Sequence, residues 1–275
     1  MTFSRSTLPS DVFGRPDGAP VFLWATPRSV STAFERVMKN SPELHVVHEP
    51  FTDAYYFGPD RRSSRYGDRA SAQFVANPIE IESSIRNCRP GVRAFVKELA
   101  FQGEPYVSDA MLAEARQLII TRHPAAVYAS LIKLKPDFTE EEFGFTALSR
   151  LYRRLRTTGL DPVVIDGDVF RAEPEATTRR ACEAISVTFD PDMLRWSDGR
   201  IRSWSSGEKK SQAIWHETLE RSRTVLKPDP SPPEIEVHAR HRAWYERALM
   251  VYGTLTNCAS GRSEEPYEKN PLPLS

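Results

Sequence analysis

The sequence predicts an α/β protein: a single domain with a central parallel β-sheet flanked by helices. Two observations predict it. Short apolar runs recur along the chain, and helical patterns separate them, which is typical of βαβ units in a parallel sheet. The apolar runs lie at 20–25, 44–48, 93–97, 118–121 and 162–166. The helical patterns lie at 33–40, 77–87, 109–115, 125–135, 139–157 and 173–186, and a further helix is predicted after 235.

The bulk composition excludes several classes of protein. The chain has 275 residues, a formal net charge of zero and 40% hydrophobic residues. A zero net charge argues against a protein that coats nucleic acid, which would carry a basic excess. We expect one folded domain at 20–259, with flexible segments at 1–19 and 260–275. We also expect residues 58–73, which are polar and rich in turn-forming residues, to be mobile.

The cysteines and the apolar segments predict the compartment. Cys88, Cys182 and Cys258 are odd in number and far apart, a pattern that fits neither a disulfide framework nor a zinc site. The N-terminal residues have no apolar signal region, and no apolar run approaches the ~18 residues that span a bilayer. We therefore expect a cytoplasmic protein that does not bind membranes. We also expect a monomer or homodimer that acts on a small molecule and does not bind nucleic acid.

The junction after the first apolar run carries the clearest chemical signal. Ligands bind at the carboxyl ends of parallel strands, and a helix N-terminus attracts anions through its free N–H groups. Four anion-seeking side chains stand at this junction: Arg28, Ser29, Ser31 and Thr32. An ordinary Ser/Thr helix cap beside a surface arginine is the simpler alternative. A Walker A loop fits poorly, because the segment has neither the two glycines nor the lysine.

A second junction follows the fourth run. Arg122 precedes Pro124, which suits the first turn of a helix, and Ser130 lies about two turns further on. Taken alone, Arg122 is explained as a structural ion-pair partner, and Ser130 as a helix residue with a packed hydroxyl group.

Together, the two junctions resemble the P-loop sulfotransferases, which use 3′-phosphoadenosine 5′-phosphosulfate (PAPS) and release adenosine 3′,5′-bisphosphate (PAP). The segment Pro27-Arg28-Ser29-Val30-Ser31-Thr32 resembles the Arg-bearing form of that family's 5′-phosphosulfate loop. The spacing of Arg122 and Ser130 matches its R-(x)₇-S element, which holds the 3′-phosphate. The resemblance implies a donor site without metal, formed by Arg28, Ser29, Val30, Ser31, Thr32, Ala33, Arg122 and Ser130.

Two features depart from the family pattern. Val30 replaces the usual glycine, so the loop must form without the freest backbone. The C-terminal glycine loop of cytosolic members is matched only in part, at 202–210. In this segment the resemblance implies donor contacts from Arg202, Gly207, Lys209 and Lys210.

The end of the second run supplies a candidate base. Glu49 lies 21 residues after Arg28, the spacing at which Arg-loop members of the family place their catalytic glutamate. His48 is the alternative base. Lys97 lies near the position of the transition-state lysine in related enzymes. Alternatively, Lys97 is a lysine at the rim of the site that pairs with Glu98. Arg28 is expected to act on the reacting group as well as to bind the donor.

The acceptor pocket is the least constrained part of the prediction. Phe51, Tyr55, Tyr56 and Phe57 form an aromatic cluster after Glu49, half of which is expected to be core. We predict that His48, Phe51, Tyr55 and Lys97 contact the acceptor. Asp166 and Asp168 are interpreted as caps at a helix start rather than as metal ligands.

These observations favour a sulfotransferase that sulfates a hydroxyl or amine of a small molecule by in-line displacement, with Glu49 as the base. A role in secondary metabolism is a further hypothesis. The alternatives are a kinase-like phosphotransferase and an inactive nucleotide-binding protein.

Overall fold

A computed structural model describes residues 18–66, 77–88, 91–197, 221–228 and 234–259. In these ranges five strands form one parallel sheet in the order β2-β3-β1-β4-β5. The strands are β1 Val21–Ala25, β2 Leu44–His48, β3 Arg93–Leu99, β4 Arg116–Thr121 and β5 Val163–Asp166. All five predicted strands are confirmed, and the single α/β domain with them.

The apolar composition of β1 explains its central place. Every residue of Val21–Ala25 is buried, because the strand has neighbours on both sides and helices over both faces. Phe22 and Trp24 face one core cluster, with their rings stacked 4.9 Å apart. Val21 and Leu23 face the other cluster.

The helices cover the two faces of the sheet unequally. One face packs against α1, α9 and α10, and the other against α2, α3, α5, α6, α8 and α11. Their bounds are α1 Ser31–Lys39, α2 Thr52–Phe57, α3 Pro78–Arg86, α4 Ala100–Gly103, α5 Asp109–Glu114, α6 Pro124–Leu134, α7 Glu140–Phe143, α8 Phe145–Thr157, α9 Gly167–Ala172, α10 Pro174–Ala184 and α11 Arg242–Ala259. Short 3₁₀ turns occupy Pro191–Leu194 and Ala239–His241.

The structure differs from the predicted elements in a few places. The single helix predicted at 139–157 is two helices, since Gly144 takes a φ of 86° between α7 and α8. The short helices α2 and α4 were not predicted. In the described part of the segment expected to be mobile, Arg65 donates to Glu142 at 2.6 Å and to Asp137 at 2.7 Å.

Candidate active site

The loop between β1 and α1 has an unusual backbone. Arg28 and Val30 both have a φ of 61°, in the left-handed region that a β-branched residue such as valine rarely adopts. The Ser29 hydroxyl donates to the carbonyl of Thr26 at 2.7 Å, and the Val30 carbonyl accepts from Ala33 N at 3.0 Å. The loop therefore closes on itself, and α1 starts directly from Val30.

Two glycines outside the loop allow it to pack so tightly. A Cβ on Gly167, at the start of α9, would lie 2.5 Å from the Ser29 carbonyl oxygen and 2.6 Å from Val30 Cγ2. A Cβ on Gly144 would lie 2.5 Å from Pro27 Cδ. The two glycines thus leave room for a loop that has Val30 where the family pattern has glycine.

The two predicted donor-binding segments meet at the carboxyl end of the sheet. Arg28 Nε donates to Ser130 Oγ, in α6, at 2.8 Å. Arg122 Nε contacts Asp168 Oδ1 at 2.8 Å. Burial and the nearby charge of Arg122 lower the pKa of Arg28. Two arginines that repel each other beside a helix N-terminus favour an anionic ligand.

The first turn of α1 supplies further donors. The first N–H groups of a helix have no partner within it, and α1 begins with those of Ser31 and Thr32, whereas the Ala33 N–H already donates to the Val30 carbonyl. Ser31 and Ala33 are buried, whereas Thr32 is partly exposed. Within the described residues, two buried hydroxyl oxygens at this edge, Thr26 Oγ1 and Thr121 Oγ1, have no hydrogen-bond partner.

Glu49 lies just beyond β2 in a strained conformation. Its φ is 43°, while its N–H still donates to the Lys97 carbonyl at 2.7 Å and so prolongs the β2–β3 ladder. Its carboxylate forms a short ion pair with the ammonium of Lys97, which is 2% exposed. The structure therefore joins two of the predicted catalytic residues in one pair.

His48 lies against the same carboxylate. Its Nε2 is 3.6 Å from Glu49 Oε1, and its Nδ1 is 2.7 Å from Oε2 of Glu35 in α1. Sequence reasoning missed Glu35, since it reads as one more charge in an amphipathic helix.

Glu98 was also missed as a functional neighbour. It is fully buried, and its two carboxylate oxygens accept from Phe51 N at 2.9 Å and Leu99 N at 2.7 Å. Burial, together with the charge of Glu49, raises its pKa to about 8. Glu98 thus anchors the turn that carries Glu49. The detectable signal was the charged pair Lys97-Glu98 directly after the apolar run 94–96.

The two aromatic residues predicted to contact the acceptor, Phe51 and Tyr55, lie in the hydrophobic core. Phe51 is 0% exposed and Tyr55 is 3% exposed, and both pack in the core, with the Tyr55 ring 5.2 Å from that of Phe101. Their burial favours a role in core packing over contact with an acceptor for these two residues. Four predicted donor contacts, Arg202, Gly207, Lys209 and Lys210, lie outside the described residues.

The acidic pair after β5 has two different roles. Asp166 caps α9, since its side chain accepts from Asp168 N at 2.7 Å, which confirms the prediction of a cap. Asp168 instead pairs with Arg122, so the prediction of a cap is wrong for this residue.

Among the described residues no cluster of three or more His, Cys, Asp or Glu is arranged to hold a metal ion. In the same part of the chain, no helix has the length and apolarity to cross a membrane.

Comparison with known proteins identifies the family. The family model described as a sulfotransferase domain matches residues 20–255. The match covers most of the chain, and the chain therefore belongs to the sulfotransferase domain family. The predicted family resemblance is confirmed.

Solved structures agree with the fold. The sulfotransferase domain from the curacin biosynthetic pathway superposes with a TM-score of 0.52 at 10% identity, covering 86% of this chain and 97% of that one. The sulfotransferase domain from the Synechococcus PCC 7002 olefin synthase gives 0.50 at 12% identity, covering 88% and 98%. At these identities the likeness concerns the fold alone.

Two curated relatives come from Arabidopsis thaliana. They are branched-chain-amino-acid aminotransferase-like protein 2, 26% identical over 242 residues, and protein 1, 24% identical over 241 residues. Each match covers 86% of this chain but only 41% of the relative, so the chain spans about two fifths of their length.

Proposed function

We propose that this sulfotransferase domain transfers a sulfuryl group from PAPS to a hydroxyl or amine of a small-molecule acceptor, with Glu49 as the base. The observation that carries the proposal is that two neighbouring arginines and an ion-paired carboxylate lie at one edge of the sheet, where we propose an anion site and an acid–base pair. Arg28 and Arg122 mark the anion site, and Glu49 with Lys97 forms the pair.

The donor set fits a doubly phosphorylated ligand. Two guanidinium groups, the hydroxyls of Ser130 and Thr32 and the first N–H groups of α1 all donate hydrogen bonds, as phosphate oxygens require. A bound anion would also offset the repulsion between Arg28 and Arg122. The fit supports PAPS as the donor, with Arg28 at the 5′ group and Arg122 with Ser130 at the 3′-phosphate.

The residues of the acid–base pair then have separate tasks. PAPS supplies the sulfuryl group and the bisphosphate leaving group. Glu49 takes the proton of the acceptor hydroxyl or amine while the new bond to sulfur forms and the bond to the bridging oxygen breaks. Lys97 orients the Glu49 carboxylate, and Arg28 offsets negative charge that develops on the donor.

A calorimetric titration separates this function from the two alternatives. The proposal requires that PAP binds tightly without Mg²⁺ and that ATP with Mg²⁺ binds weakly; the opposite result indicates a phosphotransferase. Incubation with radiolabelled PAPS and a library of phenols, alcohols, sugars and amines must then give a sulfated product. Tight PAP binding with no product from any library member indicates an inactive nucleotide-binding protein.

A further inference from the structure

A buried carboxylate that the proposed function leaves unused lies behind His48. The Glu35 side chain is 5% exposed, and its two oxygens lie 2.7 and 2.9 Å from His48 Nδ1. An ionised carboxylate can only accept hydrogen bonds. Beside an ionised Glu35, a neutral His48 ring therefore carries its proton on Nδ1.

The other ring nitrogen faces Glu49. His48 Nε2 lies 3.6 Å from Glu49 Oε1, beyond the 2.7–3.2 Å at which an N–H group donates to oxygen. Lys97 contacts the same oxygen far more closely and supplies the positive charge for it. Lys97 thus donates to the resting carboxylate, and Nε2 of a neutral ring keeps its lone pair.

We propose that Glu35 is a positioning residue for the catalytic base, and this inference rests on the proposed function. Glu35 holds the imidazole proton on Nδ1 and so keeps Nε2 of His48 as a hydrogen-bond acceptor that faces Glu49. When Glu49 removes the proton from the acceptor, the new O–H group on Oε1 turns toward Nε2 and donates to it as the 3.6 Å gap between the two atoms closes. The acceptor O–H or N–H bond breaks, the carboxyl O–H bond forms, and no other group changes its proton count.

The opposite tautomer would work against the base. An N–H group on Nε2 would point its positive end at the Glu49 carboxylate before the reaction, stabilise the charged form of Glu49 and make it a weaker base. Glu35 lies in α1, whose first turn belongs to the proposed donor site. One helix would thus position both the donor and, through His48, the base.

Ring ¹⁵N NMR of protein labelled at histidine tests the proposal without an acceptor. The sequence has six histidines, and the signals that disappear in His48→Gln assign the ring of interest. We expect a proton on Nδ1 alone in the wild type and a mixture of the two tautomers in Glu35→Gln, because the Gln amide can either accept from Nδ1–H or donate to Nδ1. A proton that stays on Nδ1 alone in Glu35→Gln, or lies only on Nε2 in the wild type, overturns the proposal.

The kinetic arm uses radiolabelled PAPS with the most active library acceptor. Glu35→Gln should lower kcat about 10- to 100-fold, the worth of a hydrogen bond to a charged group, and leave the acceptor KM and the PAP affinity unchanged. The double variant Glu35→Gln/His48→Gln should be no slower than His48→Gln, because Glu35 acts through that ring. A much slower double variant contradicts the proposal.

A matched control is Glu82→Gln. Glu82 is also a buried carboxylate, but it accepts from Ser108 N at 2.6 Å and Ser108 Oγ at 2.8 Å, away from β2. The Glu82→Gln substitution should leave the His48 ring signals and kcat unchanged. A wild-type protein that neither binds PAP nor sulfates any acceptor overturns the proposed function, and the ring signals then still report separately whether Glu35 holds the proton.

Discussion

At the scale of single residues, backbone strain collects at the proposed site. Four described residues other than glycine have a positive φ, and three of them are Arg28, Val30 and Glu49; the fourth is Ser186. Each such conformation costs about 1–3 kcal/mol and persists only where the surroundings enforce it. The strain sets the side chains of Arg28 and Glu49 at the sheet edge, where the reaction is proposed to occur.

Arg28→Lys tests whether the guanidinium geometry matters. Lysine keeps the positive charge but lacks the Nε–H group that bonds to Ser130, and it cannot bind phosphate in a bidentate manner. We expect PAP affinity to fall about 10-fold, measured by calorimetry. Arg156→Lys, at an exposed arginine paired with Asp161, is the control and should leave PAP affinity unchanged.

At the scale of elements, the packing of α9 on the loop depends on one glycine. In Gly167→Ala the added methyl group would meet the Ser29 carbonyl and the Val30 side chain, so the loop must shift. We expect a loss of about 1–3 kcal/mol in the free energy of unfolding together with weaker PAP binding. Urea denaturation and calorimetry measure the two effects.

Gly253→Ala is the matched control for that variant. Gly253 lies within α11, and a Cβ there would meet nothing within 4 Å. Alanine in a helix interior should raise the free energy of unfolding by up to about 1 kcal/mol and leave PAP binding unchanged. Equal effects of the two substitutions would contradict the role given to Gly167.

The elements also show how far the sequence could predict the structure. The strands could be predicted from local apolar runs. The Arg28 loop and Glu49 could be predicted as site residues because they lie at the ends of predicted strands. The order of the strands depends on crossovers that no local pattern encodes. Glu35 was missed because local pattern does not reveal that a charge is buried, whereas Gly144 left a visible signal, a glycine inside a helical pattern.

At the scale of the whole molecule, Glu98 links stability to pH. Its pKa is about 8 when folded, against an ordinary value of 4.5, so the folded state binds its proton more tightly than the unfolded state. Its contribution to stability is complete below about pH 4.5 and is lost as the pH rises toward and through 8, by about 3–5 kcal/mol.

Glu98→Gln should remove that part of the pH dependence. Glutamine carries no titrating proton, so the difference in unfolding free energy between wild type and variant should change steadily from pH 5 to pH 9, with the variant gaining relative to the wild type. Urea denaturation at several pH values measures it. A constant difference across this range would mean that Glu98 titrates normally in the folded protein.

The central claim is that Glu49 is the base of a PAPS-dependent sulfuryl transfer. The most direct measurement compares wild type and Glu49→Gln in single-turnover transfer from radiolabelled PAPS, with PAP affinity measured on the same samples. We expect the rate to fall about 10²- to 10⁴-fold while PAP affinity stays unchanged. A Glu49→Gln variant that transfers sulfuryl groups at the wild-type rate would contradict the assignment.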